Sequence, residues 1–139
     1  MTRPSNKLTV PNWPKCSFFA IFDGHGGNQC ADFLRDNLHQ LIIWDESFPH
    51  NPKEALRNGF ARAEKVFLGI AETDYMRTKN LNDLDKSGSC VIACLIVEDM
   101  CYVANVGDSW AIMSAEGGNK IYALSWDHRP NDELEKLRI

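Results

Sequence analysis

The chain has 139 residues, a length that suits a single domain. Hydrophobic residues make up 44% and charged residues 24%, proportions typical of a globular protein rather than a disordered, collagenous or coiled-coil chain. The formal net charge of −4 argues against nonspecific binding to nucleic acid or anionic membranes, because such binding needs positive counter-charge. The apolar runs are also far shorter than the roughly 20 residues that a membrane-spanning helix needs.

The cysteines predict reduced thiols rather than a disulfide framework or a zinc site. There are five of them, no pair has C-x2-C spacing, and no signal-peptide pattern opens the chain. We therefore expect mostly buried, chemically inert thiols in an intracellular protein, with the cytoplasm or nucleus as the default location. The residues are Cys16, Cys30, Cys90, Cys94 and Cys101.

The first half of the chain predicts a strand followed by two helices. Residues 1–16 are polar and proline-rich, and we expect them to form a poorly structured lead-in. The apolar run 17–22 predicts a strand buried on both faces. Apolar residues at spacings of three and four predict a helix over 28–44. Asn51, followed by proline and then glutamate three residues after the cap, predicts the start of a second helix that frays near Thr73.

The second half of the chain predicts a sheet. After an exposed loop over 74–86, short apolar runs separated by turn residues are typical of an antiparallel meander. The strands are expected over residues 89–97, 101–106, 110–114 and 121–124. Residues 132–139 open a helix without a terminating cap, which favours a fragment of a larger domain over a true terminus with a short docked helix.

Residues 22–27, with the sequence FDGHGG, carry the strongest chemical signal. Asp23 at the end of a buried strand is a hard oxygen ligand suited to Mg²⁺ or Mn²⁺, and His25 can transfer protons near neutral pH. The surrounding glycines let a metal or phosphate approach the backbone. The alternatives are an ordinary Asp-Gly turn with a surface histidine, or a nucleotide-binding loop that lacks the usual glycine spacing.

Three segments, in order, resemble the metal-dependent protein serine/threonine phosphatases of the PP2C (PPM) family. They are the strand and loop over 18–27, the sequence SGSC over 87–90, and the block YVANVGDS over 102–109 that is followed by DHRP over 127–130. The resemblance spans roughly residues 17–139, a partial phosphatase domain. It implies an α+β fold, an α-β-β-α sandwich of antiparallel sheets flanked by helices, which is incomplete in this chain.

The resemblance also implies a reaction and roles for individual residues. Asp23 would bridge two Mn²⁺ or Mg²⁺ ions, Gly24 would bind metal through its carbonyl, and Asp127 would belong to a third metal site. His25 would be the general acid, and a metal-activated water would hydrolyse phosphoserine or phosphothreonine in phosphoprotein substrates. Asp108 is expected to cap a turn instead.

Some positions depart from the family pattern. No acidic residue precedes Asp23, Trp110 stands where arginine is usual, and Cys90 stands where threonine is common. With Asp23 and Asp127 as its only matched carboxylates, we expect the isolated chain to bind metal weakly and to have little activity. A non-catalytic pseudophosphatase or regulatory binding module on the same scaffold is the alternative.

Overall fold

The computed structural model describes residues 14–80, 84–129 and 131–138. Most of the expected lead-in over 1–16 therefore lies outside the described residues, and the first strand begins at Cys16. Within the described residues, no helix is long and apolar enough to cross a membrane. The elements are β1 (Cys16–His25), α1 (Gln29–Ile43), α2 (Pro52–Thr78), β2 (Gly88–Val97), β3 (Met100–Val106), β4 (Ile112–Ala115), β5 (Lys120–Ala123) and α3 (Glu133–Arg138).

Two separate antiparallel sheets replace the predicted continuous meander. One has the strand order β1-β2-β3, and the other is the hairpin β4-β5. The meander prediction is wrong at β3, because the chain leaves the first sheet after Gly107 and the next strand, which begins at Ile112, pairs with β5 instead. The α+β class with antiparallel sheets is confirmed.

The three-stranded sheet buries one face only. Alternate residues of β1, such as Phe18 and Ala20, pack against the core, whereas Phe19 and Ile21 on the other face are 62% and 68% exposed. The prediction of a strand buried on both faces is therefore wrong for the described residues. We call this other face of the sheet the open face; it also carries Cys94 and Val103.

The core lies between the sheet and the helix pair α1–α2. It joins the apolar stripe of each helix to the inward residues of β2, as the 3.6-residue and 2-residue periodicities require. The buried cluster comprises Leu34, Leu38, Leu41, Ile42, Phe48, Ala55, Leu56, Ala63, Val91, Ala93, Leu95 and Val97.

Helix α2 begins as predicted and ends later. The Asn51 side chain accepts a hydrogen bond from the Glu54 amide at 3.2 Å, which caps the first turn. The helix continues to Thr78 rather than fraying near Thr73, so the loop predicted over 74–86 is shorter. Its last turn is closed by Lys79, which adopts a left-handed conformation (φ 52°) and donates its amide to the Tyr75 carbonyl.

A buried carboxylate fastens the turn between α1 and α2. Asp45 is 1% exposed, and its Oδ1 accepts hydrogen bonds from the Ser47 amide at 3.0 Å and from Asn58 at 3.2 Å. Arg62 lies 3.4 Å from Oδ2. Burial opposes ionisation, but these hydrogen bonds and the Arg62 charge outweigh it and lower the pKa of Asp45 below its ordinary 3.8.

We predict that Asp45→Asn lowers the free energy of unfolding by about 1–3 kcal/mol at pH 7, because buried donors lose a charged acceptor. A lowered pKa means that the carboxylate stabilises the fold above the ordinary pKa of 3.8 and that this contribution is lost as pH falls through the folded pKa. In urea unfolding followed by tryptophan fluorescence, the difference in free energy of unfolding between variant and parent should become smaller from pH 7 to pH 3. The exposed ion-pair residue Asp32 supplies the control Asp32→Asn, expected within about 0.5 kcal/mol. A difference in free energy of unfolding that does not change with pH would contradict a stabilising role for the ionised Asp45 carboxylate.

Two glycines of α2 provide a matched test of helix packing. A Cβ at Gly59 would lie 2.5 Å from Ile42 Cγ1 of α1, whereas a Cβ at Gly69 meets nothing within 4 Å. We predict that Gly69→Ala stabilises the chain by about 0.5–1 kcal/mol through helix propensity. Gly59→Ala should destabilise it despite the same propensity gain, because the helices must separate. Thermal unfolding of both variants checks the pair, and equal effects would show that the helices do not pack as described.

Candidate functional site

Asp23, Gly24 and His25 form the last three residues of β1, so they lie in the sheet rather than in a loop after it. Their antiparallel partners on β2 are Cys90, Ser89 and Gly88 respectively. The strand predicted over 17–22 therefore continues three residues further, to His25. Pairing with β2 fixes the backbone of this triplet, while the Asp23 and His25 side chains stay exposed.

The His25 imidazole lies directly over the backbone of Gly88. A Cβ at Gly88 would collide with His25 Nε2 and would lie 2.9 Å from Cε1, so only glycine leaves room for the ring. His25 also borders a cleft of 540 Å³ between the helix pair and the ends of β2 and β3. The lining of this cleft includes Cys30, Phe60, Glu64, Phe67 and Ser87.

The loop after His25 is shaped by close packing against neighbouring segments. Gly26 and Gly27 have φ of +68° and +138°, which favours glycine, and a Cβ at Gly26 would lie 3.2 Å from the Lys86 carbonyl. Ser87, which is buried, accepts a hydrogen bond from the Cys30 amide at 3.0 Å. The start of α1 is thereby tied to the segment that leads into β2.

Asp127 lies in a segment that is fastened to the end of β3. The amide of His128 donates to the Gly107 carbonyl at 3.0 Å, and the Asn105 side chain donates to the Trp126 carbonyl at 2.7 Å. The Asp127 carboxylate is not free, because it pairs with Arg129 at 2.9 Å.

A short chain of contacts connects the Asp23 strand to the Asp127 segment. Cys90, the cross-strand partner of Asp23, lies with its Sγ 3.4 Å from Asp108 Oδ1. Gly107 (φ +102°) packs so closely on Cys90 that a Cβ there would collide with the sulfur. Asp108 therefore contacts the strand beside Asp23, a placement that its assignment as a turn cap did not anticipate.

The carboxylates do not assemble into a metal cage within the described parts of the chain. No group of three or more His, Cys, Asp or Glu side chains there is arranged to hold a metal ion. The Asp23 side chain is exposed and has no hydrogen bond or ion pair with the residues described, so the carboxylate is open to a ligand. The roles assigned to Asp23, Gly24, His25 and Asp127 stay predictions.

Sequence reasoning missed two positions that shape the site. Gly88 makes room for the His25 ring, and Cys90 links Asp23 to the loop at Gly107. The glycine of the sequence SGSC was the available signal for the first. The second depends on strand register, which a single sequence does not specify.

The chain is similar in sequence to longer proteins, of which it matches only a part. A protein of Caenorhabditis elegans named as a probable protein phosphatase 2C is 36% identical over 133 residues, covering 95% of this chain and 34% of that protein. Protein phosphatase 2C homolog 2 of Schizosaccharomyces pombe is 37% identical over 128 residues, covering 91% of this chain and 32% of that protein. The chain thus spans about a third of the length of these relatives.

The fold has a counterpart among solved structures. The serine-threonine phosphatase 2C from Toxoplasma gondii superposes with a TM-score of 0.75 at 23% identity, covering 93% of this chain and 45% of that one. The sequence model of the protein phosphatase 2C family matches residues 5–139. This match covers nearly the whole chain, so the chain belongs to the protein phosphatase 2C family.

Proposed function

We propose that this chain contributes part of the catalytic centre of a metal-dependent phosphatase that hydrolyses phosphoserine and phosphothreonine in proteins. The observation that carries the proposal is the placement of Asp23, Gly24 and His25 at one end of β1, with the backbone held by β2 and both side chains exposed. A carboxylate and an imidazole on a rigid strand end suit the binding of a phosphoryl group and divalent ions.

His25 is proposed as the general acid that protonates the leaving seryl or threonyl oxygen. The ring is exposed, so a substrate can reach it, and its position over Gly88 restricts where the proton is delivered. Because proton transfer needs hydrogen-bond contact, a small displacement of the ring would slow the reaction.

Asp23 and the Gly24 carbonyl are proposed to hold Mn²⁺ or Mg²⁺, with Asp127 at a further site. Bound ions would polarise the phosphoryl oxygens and lower the pKa of a coordinated water. Asp23 fits this role as an uncommitted hard ligand, whereas Asp127 must first release Arg129. Two carboxylates are too few to offset two divalent ions, so the described residues supply only part of the ligand set.

The incomplete ligand set also favours a second candidate, a non-catalytic member of the family that serves protein binding. It is motivated by the finding that the residues described hold no cluster of three metal-ligating side chains. The two candidates differ in one respect: whether this segment supports hydrolysis when the rest of a phosphatase domain surrounds it.

We predict weak metal binding by the 139-residue chain, with a dissociation constant of about 0.1 mM or higher, because few charged ligands are available. In a Mn²⁺ titration followed by NMR, paramagnetic broadening should begin at the amides around Asp23. Asp23→Asn should abolish it, and Asp36→Asn on the outer face of α1 should not. Micromolar affinity, or robust turnover of a phosphothreonine peptide by this chain, would overturn the missing-ligand argument.

A chimera tests the catalytic proposal directly. The matching segment of the Schizosaccharomyces pombe protein is replaced by this chain, and Mn²⁺-dependent hydrolysis of a phosphothreonine peptide is measured. We expect hydrolysis that falls by a factor of about 10²–10⁴ with His25→Ala, the usual contribution of a general acid. Gly88→Ala should also reduce kcat by displacing the ring, whereas Gly69→Ala should not. A folded, metal-binding chimera without hydrolysis would favour the binding module.

A further inference from the structure

Two thiols lie in contact on neighbouring strands, away from the site described above. The Sγ atoms of Cys94 on β2 and Cys101 on β3 are 3.3 Å apart. Because Cys94 pairs with Val103 and Ile96 pairs with Cys101, the two cysteines occupy diagonal positions on the same side of the sheet. This is the one sulfur–sulfur contact that the described residues make, and all five cysteines are free.

Within the described residues of the 139-residue chain, the pair is accessible from the open face of the sheet. Cys101 is exposed and Cys94 is half-buried, so the prediction of mostly buried thiols is wrong at this position. Cys94 also lines a shallow cavity of 230 Å³ with Phe19, Val103 and Trp110. A small oxidant can therefore reach Cys101 from solvent while Cys94 lies directly beside it.

The two thiols differ in their surroundings and therefore in their expected reactivity toward an oxidant. Burial, together with the hydrogen bond and charge of Cys101, raises the pKa of Cys94 to about 11. Cys94 therefore forms less thiolate than an ordinary cysteine, whereas the exposed Cys101 is the sulfur that a solvent-borne oxidant meets first.

We propose that, in this 139-residue chain, Cys94 and Cys101 are a redox pair that closes to an intramolecular disulfide on exposure to hydrogen peroxide. The Cys101 thiol releases its proton, the thiolate attacks one peroxide oxygen, and the O–O bond breaks to give a sulfenic acid and hydroxide, which takes up the released proton as water. The Cys94 sulfur then attacks the sulfenic sulfur, the S–O bond breaks, and the departing hydroxide takes the Cys94 proton as water. Overall, two thiols and one peroxide give one disulfide and two waters, and a dithiol reductant reverses the reaction.

The geometry allows this closure with a modest movement. The sulfurs must approach from 3.3 Å to a bond length of about 2.0 Å. Diagonal neighbours on antiparallel strands have Cα atoms about 7–8 Å apart, slightly beyond the usual span of a disulfide, so β2 and β3 are drawn together locally. Such a bridge is readily reduced, which suits a reversible site rather than a permanent structural bond.

The test treats the reduced 139-residue chain with hydrogen peroxide and follows its thiols. We expect the titratable thiols to fall from five to three and the intact mass to drop by about 2 Da, both restored by dithiothreitol. Glu98 lies between the two cysteines, so Glu-C digestion without reductant should give one pair of peptides joined by a disulfide. This result comes from the parent chain and does not depend on how any variant folds.

Variants identify the partners. Cys94→Ser and Cys101→Ser should each abolish the 2-Da loss, leaving only oxygen adducts. Cys90→Ser is the matched control, because Cys90 lies on the same strand and the same side of it as Cys94, and it should retain the cross-link. Oxygen adducts without a link in the parent, links only between chains, or a link that survives Cys94→Ser would each overturn the proposal.

Discussion

The antiparallel pairing of β1 with β2 is the constraint on which the rest of the structure depends. It runs from Cys16 opposite Val97 to His25 opposite Gly88 without a bulge. One side of the ladder is buried under the helix pair, and a slip of one residue would turn every core side chain outward. The same register that keeps Phe18 and Leu95 in the core therefore places Asp23 and His25 at the sheet end.

Close approach of backbone segments is the second element of the site. A side chain at Gly88 would collide with His25, and one at Gly107 would collide with Cys90. A Cβ at Gly24 would lie within 3.1 Å of Ala31 of α1. These contacts bring three separate parts of the sequence together, at the end of β1, the start of β2 and the loop after β3. The thiol of Cys90, a weak donor, contacts Asp108, so this position joins the strand to the loop.

The sequence predicted the order of helices and strands well, because periodicity and caps report local preferences. Asn51 and the following proline located the start of α2. Its end at Thr78 depends on the Lys79 cap, whose left-handed backbone conformation was not predictable from the sequence pattern. The motif at Asp23 was recognisable in sequence, but the pairing of Asp127 with Arg129 was not. The thiol contact between Cys94 and Cys101 required both the register of β2 with β3 and the direction of two side chains.

The central claim is that Asp23 and His25 are held inside the β1–β2 ladder rather than in a loop. Cross-strand backbone NOEs in a labelled sample of the chain measure this directly. The account predicts contacts that pair Asp23 with Cys90 and His25 with Gly88, continuous with those between Phe18 and Leu95. Cross-strand contacts that stop at Phe22, with residues 23–25 showing none, would contradict it.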